Sequence, residues 1–344
     1  MKLYTIIYPP IISWQEVIFQ RPQQLLTEFV RQGHFAIFTN SIPDGKGVFW
    51  YTETGLCISN DLILTLADPT IKERLAGTRV VFWVSFPQAM SFKDVVQPNI
   101  KVFDYIDESI DEFAFWQQGL REAMDSVDMI IVSSDKLLNL TNADYPHKTY
   151  LLKNGADVRH FSKPVRGIPK DLKRIRLLYR RIIGFHGNLD SWIDYALLRE
   201  IALSRPQWAM VLIGPENYPQ EICRGIPNIY FLGSRSYEVL PTYVQNFDVG
   251  LIPFQVREMT HSANPIKMYE YLAAGIPVVG TPINECLSLT PIVRIGRDAP
   301  EMIQQIEQAI KSKHVEQGIY RETALTNSWS VRITRALELL EGLD

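Results

Sequence analysis

Short, continuous apolar runs alternate with amphipathic stretches along the whole chain. In the first half the apolar runs predict strands at 3–8, 36–39, 79–84, 100–105, 129–133 and 149–152, and amphipathic segments at 21–32 and 111–125 predict helices. The second half repeats the scheme, with strands at 182–185, 209–213, 229–231, 249–252, 277–280 and 292–293 and helices at 193–204, 236–246, 266–274 and 299–312. Apolar runs without polar alternation are buried on both faces. Separated by helices, they signal a parallel sheet covered on both sides. The pattern therefore predicts an α/β protein of two Rossmann-like units in tandem. A last apolar repeat at helical spacing, 329–340, predicts a closing helix that packs back on the first domain.

A length of 344 residues agrees with two domains,. The expected limits are 1–163 for the first, 164–181 for a basic linker, 182–326 for the second, and 327–344 for the closing segment. Lys163-Pro164-Val165-Arg166-Gly167-Ile168-Pro169-Lys170 marks the break, and Lys173, Arg174, Arg176, Arg180 and Arg181 extend its positive charge. That strip reads either as a solvated face or as a surface for an anionic partner such as a membrane. A hydrophobic content of 46% suffices for two cores, and a net charge of −3 gives no global attraction to nucleic acid,. No apolar run is long enough to span a bilayer, and the first ten residues lack a signal peptide's pattern,. Cys57, Cys223 and Cys286 are far apart and without metal spacing, as in a reduced, cytoplasmic protein,. Peripheral contact with the inner membrane face through the basic strip stays open beside that location.

Ligands of open parallel sheets bind beyond the carboxyl ends of the strands, so the loops after strands carry the candidate chemistry. The most informative segment begins Asn264-Pro265-Ile266-Lys267-Met268-Tyr269-Glu270 and ends in the strand before Gly280. It reads as a loop, a short helix with Pro265 in its first turn, a stop at Gly275 and a buried strand. A loop feeding a helix N-terminus collects backbone N–H groups and positive dipole, a seat for phosphate. Lys267 and Glu270 share one helix face there, a cation for phosphate and a carboxylate for sugar hydroxyls. A solvated pair on an ordinary amphipathic helix is the alternative. Gly187 with Asn188, and Gly214 after the next strand, would let a sugar diphosphate approach the backbone, or would simply make tight turns. In the first domain, Arg21 at a helix start could bind an acidic acceptor or pair with an acid. Asp104, Asp107 and Glu108 at the carboxyl end of the strand at 100–105 form a general-base cluster for an acceptor hydroxyl, or cap the next helix,. The first loop lacks the G-x-G-x-x-G of hydride-transfer enzymes, and no metal-ligand spacing, P-loop or nucleophile elbow is present, so no bound metal is predicted,.

Taken in order, several segments resemble the GT-B glycosyltransferases, especially the large retaining group of bacterial surface-polysaccharide enzymes (glycosyltransferase family 4). They are Arg21-Pro22-Gln23-Gln24-Leu25 with Gly33-His34, Lys153-Asn154-Gly155-Ala156-Asp157 with His160-Phe161, Gly184-Phe185-His186-Gly187, Val211-Leu212-Ile213-Gly214-Pro215, and the segment from Asn264 to Gly280. The resemblance implies two Rossmann-like domains with parallel sheets facing a central cleft. It implies transfer of a sugar from a nucleotide diphosphate to an acceptor hydroxyl on a saccharide or lipid carrier, without a tightly bound cofactor. UDP-sugars are favoured as donors and GDP-sugars are the second option. In the family's Glu–seven residues–Glu motif, Glu270 matches the second glutamate and its implied role is to bind the ribose hydroxyls. The first glutamate's place is taken by Ser262. The usual diphosphate clamp is missing where Asn188 follows Gly187, which leaves Lys267 and Arg257 as the nearby cations. Lys267 is then the residue expected to meet leaving-group charge and Asn264 the one leading into the helix. Asp107 is the catalytic base that activates the acceptor if configuration is inverted, and only orients the acceptor if it is retained, as the resemblance implies. Departures from the motif keep two rivals open: a non-catalytic GT-B protein that binds a nucleotide sugar, and a nucleotide-sugar epimerase.

Overall fold

The computed structural model describes residues 2–16, 18–53 and 55–343. The chain divides into two compact units, Met1–Lys153 with Arg332–Asp344, and Asn154–Val331.

The first unit is built on a sheet of eight strands: β1 (Tyr4–Tyr8), β2 (Phe35–Thr39), β3 (Phe49–Glu53), β4 (Leu56–Ser59), β5 (Arg79–Val84), β6 (Ile100–Tyr105), β7 (Met129–Val132) and β8 (Thr149–Leu151). Their order is β3-β4-β2-β1-β5-β6-β7-β8, and only the β3–β4 pair is antiparallel. At the centre Ile7 pairs in register with Ile37 on one side and Phe82 on the other. Alternate residues Ile7, Ile37, Phe82, Phe103 and Ile130 fill one core,. β3 and β4 escape apolar-run reading because β3 is a half-exposed edge and β4 is four residues long. The helix expected over 111–125 is broken. Gly119, at φ +80°, separates a 3₁₀ turn, Asp111–Gln117, from a helix, Leu120–Asp125,.

The second unit carries six parallel strands, β9 (Arg181–His186), β10 (Trp208–Ile213), β11 (Ile229–Phe231), β12 (Val249–Ile252), β13 (Val278–Gly280) and β14 (Val293–Ile295), in the order β11-β10-β9-β12-β13-β14. Gly184 of β9 lies beside Gly250 of β12. A Cβ on Gly184 would sit 2.2 Å from the Phe247 ring, and one on Gly250 would sit 2.5 Å from the Tyr271 ring. Gly184 is thus a seat for an aromatic ring.

The unit boundary falls ten residues before the expected linker. Asn154 donates from its backbone to Asn264 Oδ1 (3.0 Å) and from Nδ2 to the Asn264 carbonyl (2.7 Å). Ala156 N–H donates to the Asn327 carbonyl, and Trp329 N–H to the Ala156 carbonyl. The Asn-Gly-Ala-Asp element therefore opens the second unit instead of closing the first. The expected linker, 164–181, carries a helix, Lys170–Leu178, whose Leu172 and Ile175 enter the second core. Apolar residues three apart gave that stretch one buried face, and the prolines before it only start the helix. The helix expected over 299–312 runs unbroken from Ala299 to Thr326. The closing helix spans Trp329–Glu341, and its residues from Arg332 onward belong to the first unit.

Candidate functional site

In the second unit the chemistry collects at the carboxyl ends of β9 and β10. Ile213 pairs with His186 in register, and each strand is followed directly by a glycine, Gly187 at φ +141° and Gly214 at φ +152°. A Cβ on Gly214 would fall 1.8 Å from the Gly187 carbonyl oxygen, so only glycine fits,. Gly187 N–H donates to the Ile213 carbonyl (2.9 Å), and the bridge between Leu189 and Glu216 keeps the two loops together beyond the strands. Asn188 is half-buried between these anchors.

The helix Ile266–Ala273 delivers two charged residues to this place. Pro265 is its N-cap, one position earlier than a first-turn proline. The Lys267 stem passes over Gly187, where a Cβ would lie 2.8 Å from Lys267 Cε. One turn on, Glu270 is buried, and its Oε2 lies 3.3 Å from His186 Nε2, which has no hydrogen-bond partner aligned with it. Tyr271 OH accepts from His186 N–H (2.9 Å), and its ring meets the imidazole edge to face. Phe161 stacks on the imidazole from another direction. Burial, together with the Lys267 charge, holds the His186 imidazole well below its ordinary range, so it is neutral,. Burial pushes the Glu270 carboxyl up to about 7; Lys267 opposes the shift and Asp157 adds to it. The buried carboxyl is thus poised for protonation near neutral pH.

This raised carboxyl has a stability consequence. Below its unfolded value Glu270 is protonated in both states; between there and about 7 the unfolded chain ionises first, so stability is lost as pH rises,. The shift corresponds to roughly 3 kcal/mol once pH exceeds the folded value. Glu270→Gln is expected to unfold at higher urea than the wild type at pH 8, with most of that difference gone at pH 5. A constant difference across that range would show that Glu270 is ionised throughout.

Of the other expected donor-side residues, Asn264 and Ser262 make structural hydrogen bonds. Asn264 holds the 154 loop with its side-chain oxygen and its carbonyl, and its Nδ2 reaches Tyr269 OH (3.4 Å). Ser262, at the place of the motif's first glutamate, is fully buried and donates to the Glu258 carbonyl (3.4 Å). Arg257 is half-buried at the N-cap of the helix Glu258–Ser262, its N–H on Thr260 Oγ1 (3.1 Å).

In the first unit Arg21 and Asp104 are partners of one another. Arg21 Nε and Nη2 donate to the two carboxylate oxygens (2.8 and 2.9 Å), and Trp83 Nε1 donates to Oδ2 (3.0 Å). All three are buried. The alternative reading of Arg21, that it pairs with a nearby acid, is the arrangement found. Each charge is matched by the other within this buried pair. Glu108 meets Lys136 (3.0 Å), and Asp107 is half-buried in the same loop after β6. Among the described residues no group of three or more His, Cys, Asp or Glu could hold a metal ion, and no helix is long and apolar enough to cross a membrane.

The contributions of His186, Asp157 and Tyr271 were not assigned from sequence. His186 follows the strand expected over 182–185 and Asp157 sits in the segment 153–157 that carries part of the resemblance, so position was a signal in both cases; nothing local marks Tyr271.

Residues 180–312 match the family model described as glycosyl transferases group 1. The putative teichuronic acid biosynthesis glycosyltransferase TuaH of Bacillus subtilis is 25% identical over 236 residues, 60% of this chain and 56% of that protein. The chain thus spans little more than half the length of the curated relative it matches. Among solved structures, a sucrose-phosphate synthase from Thermosynechococcus elongatus superposes with a TM-score of 0.70 at 13% identity, covering 99% of both chains. HepE from Anabaena, in complex with UDP and glucose, superposes with a TM-score of 0.68 at 14% identity, covering 99% of this chain and 100% of that one. An α,α-trehalose 6-phosphate synthase from Burkholderia multivorans gives a TM-score of 0.69 at 13% identity, covering 100% and 99%. The chain therefore has the GT-B fold, and residues 180–312, within its second unit, match the glycosyl transferases group 1 model.

Proposed function

We propose that this protein is a glycosyltransferase that moves a sugar from a UDP-sugar to an acceptor hydroxyl in polysaccharide synthesis, the acceptor being a saccharide or a lipid-linked saccharide. The observation that carries this reading is the Lys267 stem laid over Gly187 with Glu270 buried one turn away, beside the Gly187–Gly214 contact. A β-phosphate placed over the two glycines would meet the Lys267 ammonium and the start of its helix. Glu270 would accept from the ribose hydroxyls, and His186 would hold that carboxylate in place. The group 1 family match and the TuaH relative favour the same reaction class, and the UDP-bound HepE structure favours uridine over guanosine.

In this reading the bond between the anomeric carbon and the β-phosphate oxygen breaks while the acceptor oxygen bonds to that carbon, UDP leaves, and the hydroxyl's proton passes to the departing β-phosphate oxygen. Charge develops on the β-phosphate, where Lys267 and the helix dipole stabilise it without a protein-held metal. We infer retention of configuration, with Asp107 orienting the acceptor hydroxyl.

Titration with UDP, and with UDP-glucose as the first donor tried, tests the site. With UDP at about 100 times its Kd the apparent stability should rise by about 2.7 kcal/mol, and the same concentration of GDP should give less. Glu270→Ala should remove roughly 1–3 kcal/mol of that binding. No shift with either nucleotide would overturn the donor-site assignment. Binding without transfer or hydrolysis would favour the non-catalytic reading, which the buried serine at position 262 supports.

A further inference from the structure

The helix Lys170–Leu178 has two faces of different chemistry. Toward the second unit it buries Leu172 and Ile175, and its inward charges are matched: Asp171 meets Arg235 (2.7 Å) and Arg176 meets Asp248 (2.6 Å). Toward solvent it shows Lys173 and Arg174 and, four residues on from each, Leu177 and Leu178,. These adjacent leucines are 79% and 73% exposed. Lys163, Arg166, Lys170, Lys173, Arg174 and Arg180 are exposed as well, and among the described residues none of them enters an ion pair. Residues 163–181 hold eight Lys or Arg against one acid, although the whole chain has a net charge of −3, so the remainder is acidic.

A solvated linker helix explains the charges and leaves the leucines unexplained. A nucleic acid would engage the cations and leave both leucines in water. An anionic bilayer satisfies both, because its surface attracts the cations and its headgroup–acyl boundary takes up apolar side chains. We propose that this outer face docks on an anionic lipid surface, with Leu177 and Leu178 entering the boundary and the surrounding cations meeting lipid phosphates. The face lies outside the donor-site residues and its role does not depend on theirs. It would bring the protein to where a lipid-linked acceptor is held.

Sedimentation of the full chain with vesicles tests this directly. The wild type is expected to partition onto vesicles rich in phosphatidylglycerol and to stay in solution with pure phosphatidylcholine. Salt above physiological strength should weaken that binding, because screening shortens to a few ångströms (about 3 Å at 1 M). K173E/R174E should abolish it, and L177S/L178S should weaken it by roughly tenfold. Both variants should keep the wild-type melting temperature and the wild-type response to UDP, which separates a failed surface from a failed donor site. No partition onto phosphatidylglycerol vesicles at low salt would overturn the proposal. Equal partition of L177S/L178S and the wild type would overturn it too, by reducing the contact to a general polyanion effect.

Discussion

Lys267→Ala is expected to lower turnover by roughly 10²–10³-fold while weakening UDP binding far less, the signature of a charge met mainly in the transition state. The stem crosses Gly187, where a Cβ would lie 2.8 Å from Lys267 Cε, so the lysine is set at the end of the strand Arg181–His186. The substitution has a second, independent readout. Lys267 lowers the His186 imidazole and opposes the rise of the Glu270 carboxyl. Without it the carboxyl should titrate above its present value of about 7, and the imidazole should move back toward its ordinary range. If an ionised Glu270 is the form that holds ribose, UDP affinity in the variant should reach its plateau at a higher pH than in the wild type. Equal losses in kcat and in UDP affinity would show that the lysine serves ground-state binding alone. An unmoved pH profile would show that its charge does not reach Glu270.

Asp104→Ala is expected to cost about 3–5 kcal/mol of stability, read by urea denaturation, because it strands a buried guanidinium. Arg21 and Asp104 are 3% and 1% exposed, and the carboxylate also takes the Trp83 indole N–H. Removing both charges together behaves differently: the double change Arg21→Met with Asp104→Leu should cost much less than the two single changes added, since no uncompensated ion remains. Additive losses would mean that the two residues stabilise the unit through separate contacts. The same pair anchors the start of the helix Arg21–Arg31 against β6, so acceptor-side kinetics in the single variants have to be measured well below their melting temperature.

Much of the fold was legible in the chain because burial on both faces leaves a strand no polar alternation. β1, β2, β5, β6 and β7 in the first unit and β9, β10 and β12 in the second all read as continuous apolar runs. The short antiparallel edge β3 and its neighbour β4 did not, since half-exposed aromatic residues in a turn-rich stretch resemble a loop. The stretch 164–181 was misread for the opposite reason. Its prolines and charges are those of a linker, yet two apolar residues three apart were enough to fold it onto the second core.

The candidate site was legible in part. Lys267, Glu270, Gly187 and Gly214 stand out because a helix start after a loop, and a glycine after a buried strand, are local features. The chain by itself also determined the two-unit α/β scheme, since periodicity and turn chemistry are properties of neighbouring residues. Only the tertiary structure decided which charges are spent on each other and which stay poised. It paired Arg21 with Asp104, drew Asn264 into holding the 154 loop, and set His186 beside Glu270 with Lys267 over Gly187. Those outcomes depend on which strand ends and helix turns meet across tens of residues of chain. A carboxyl's affinity for its proton follows from the solvent and charges that such meetings exclude or bring near, and no local stretch of sequence contains them.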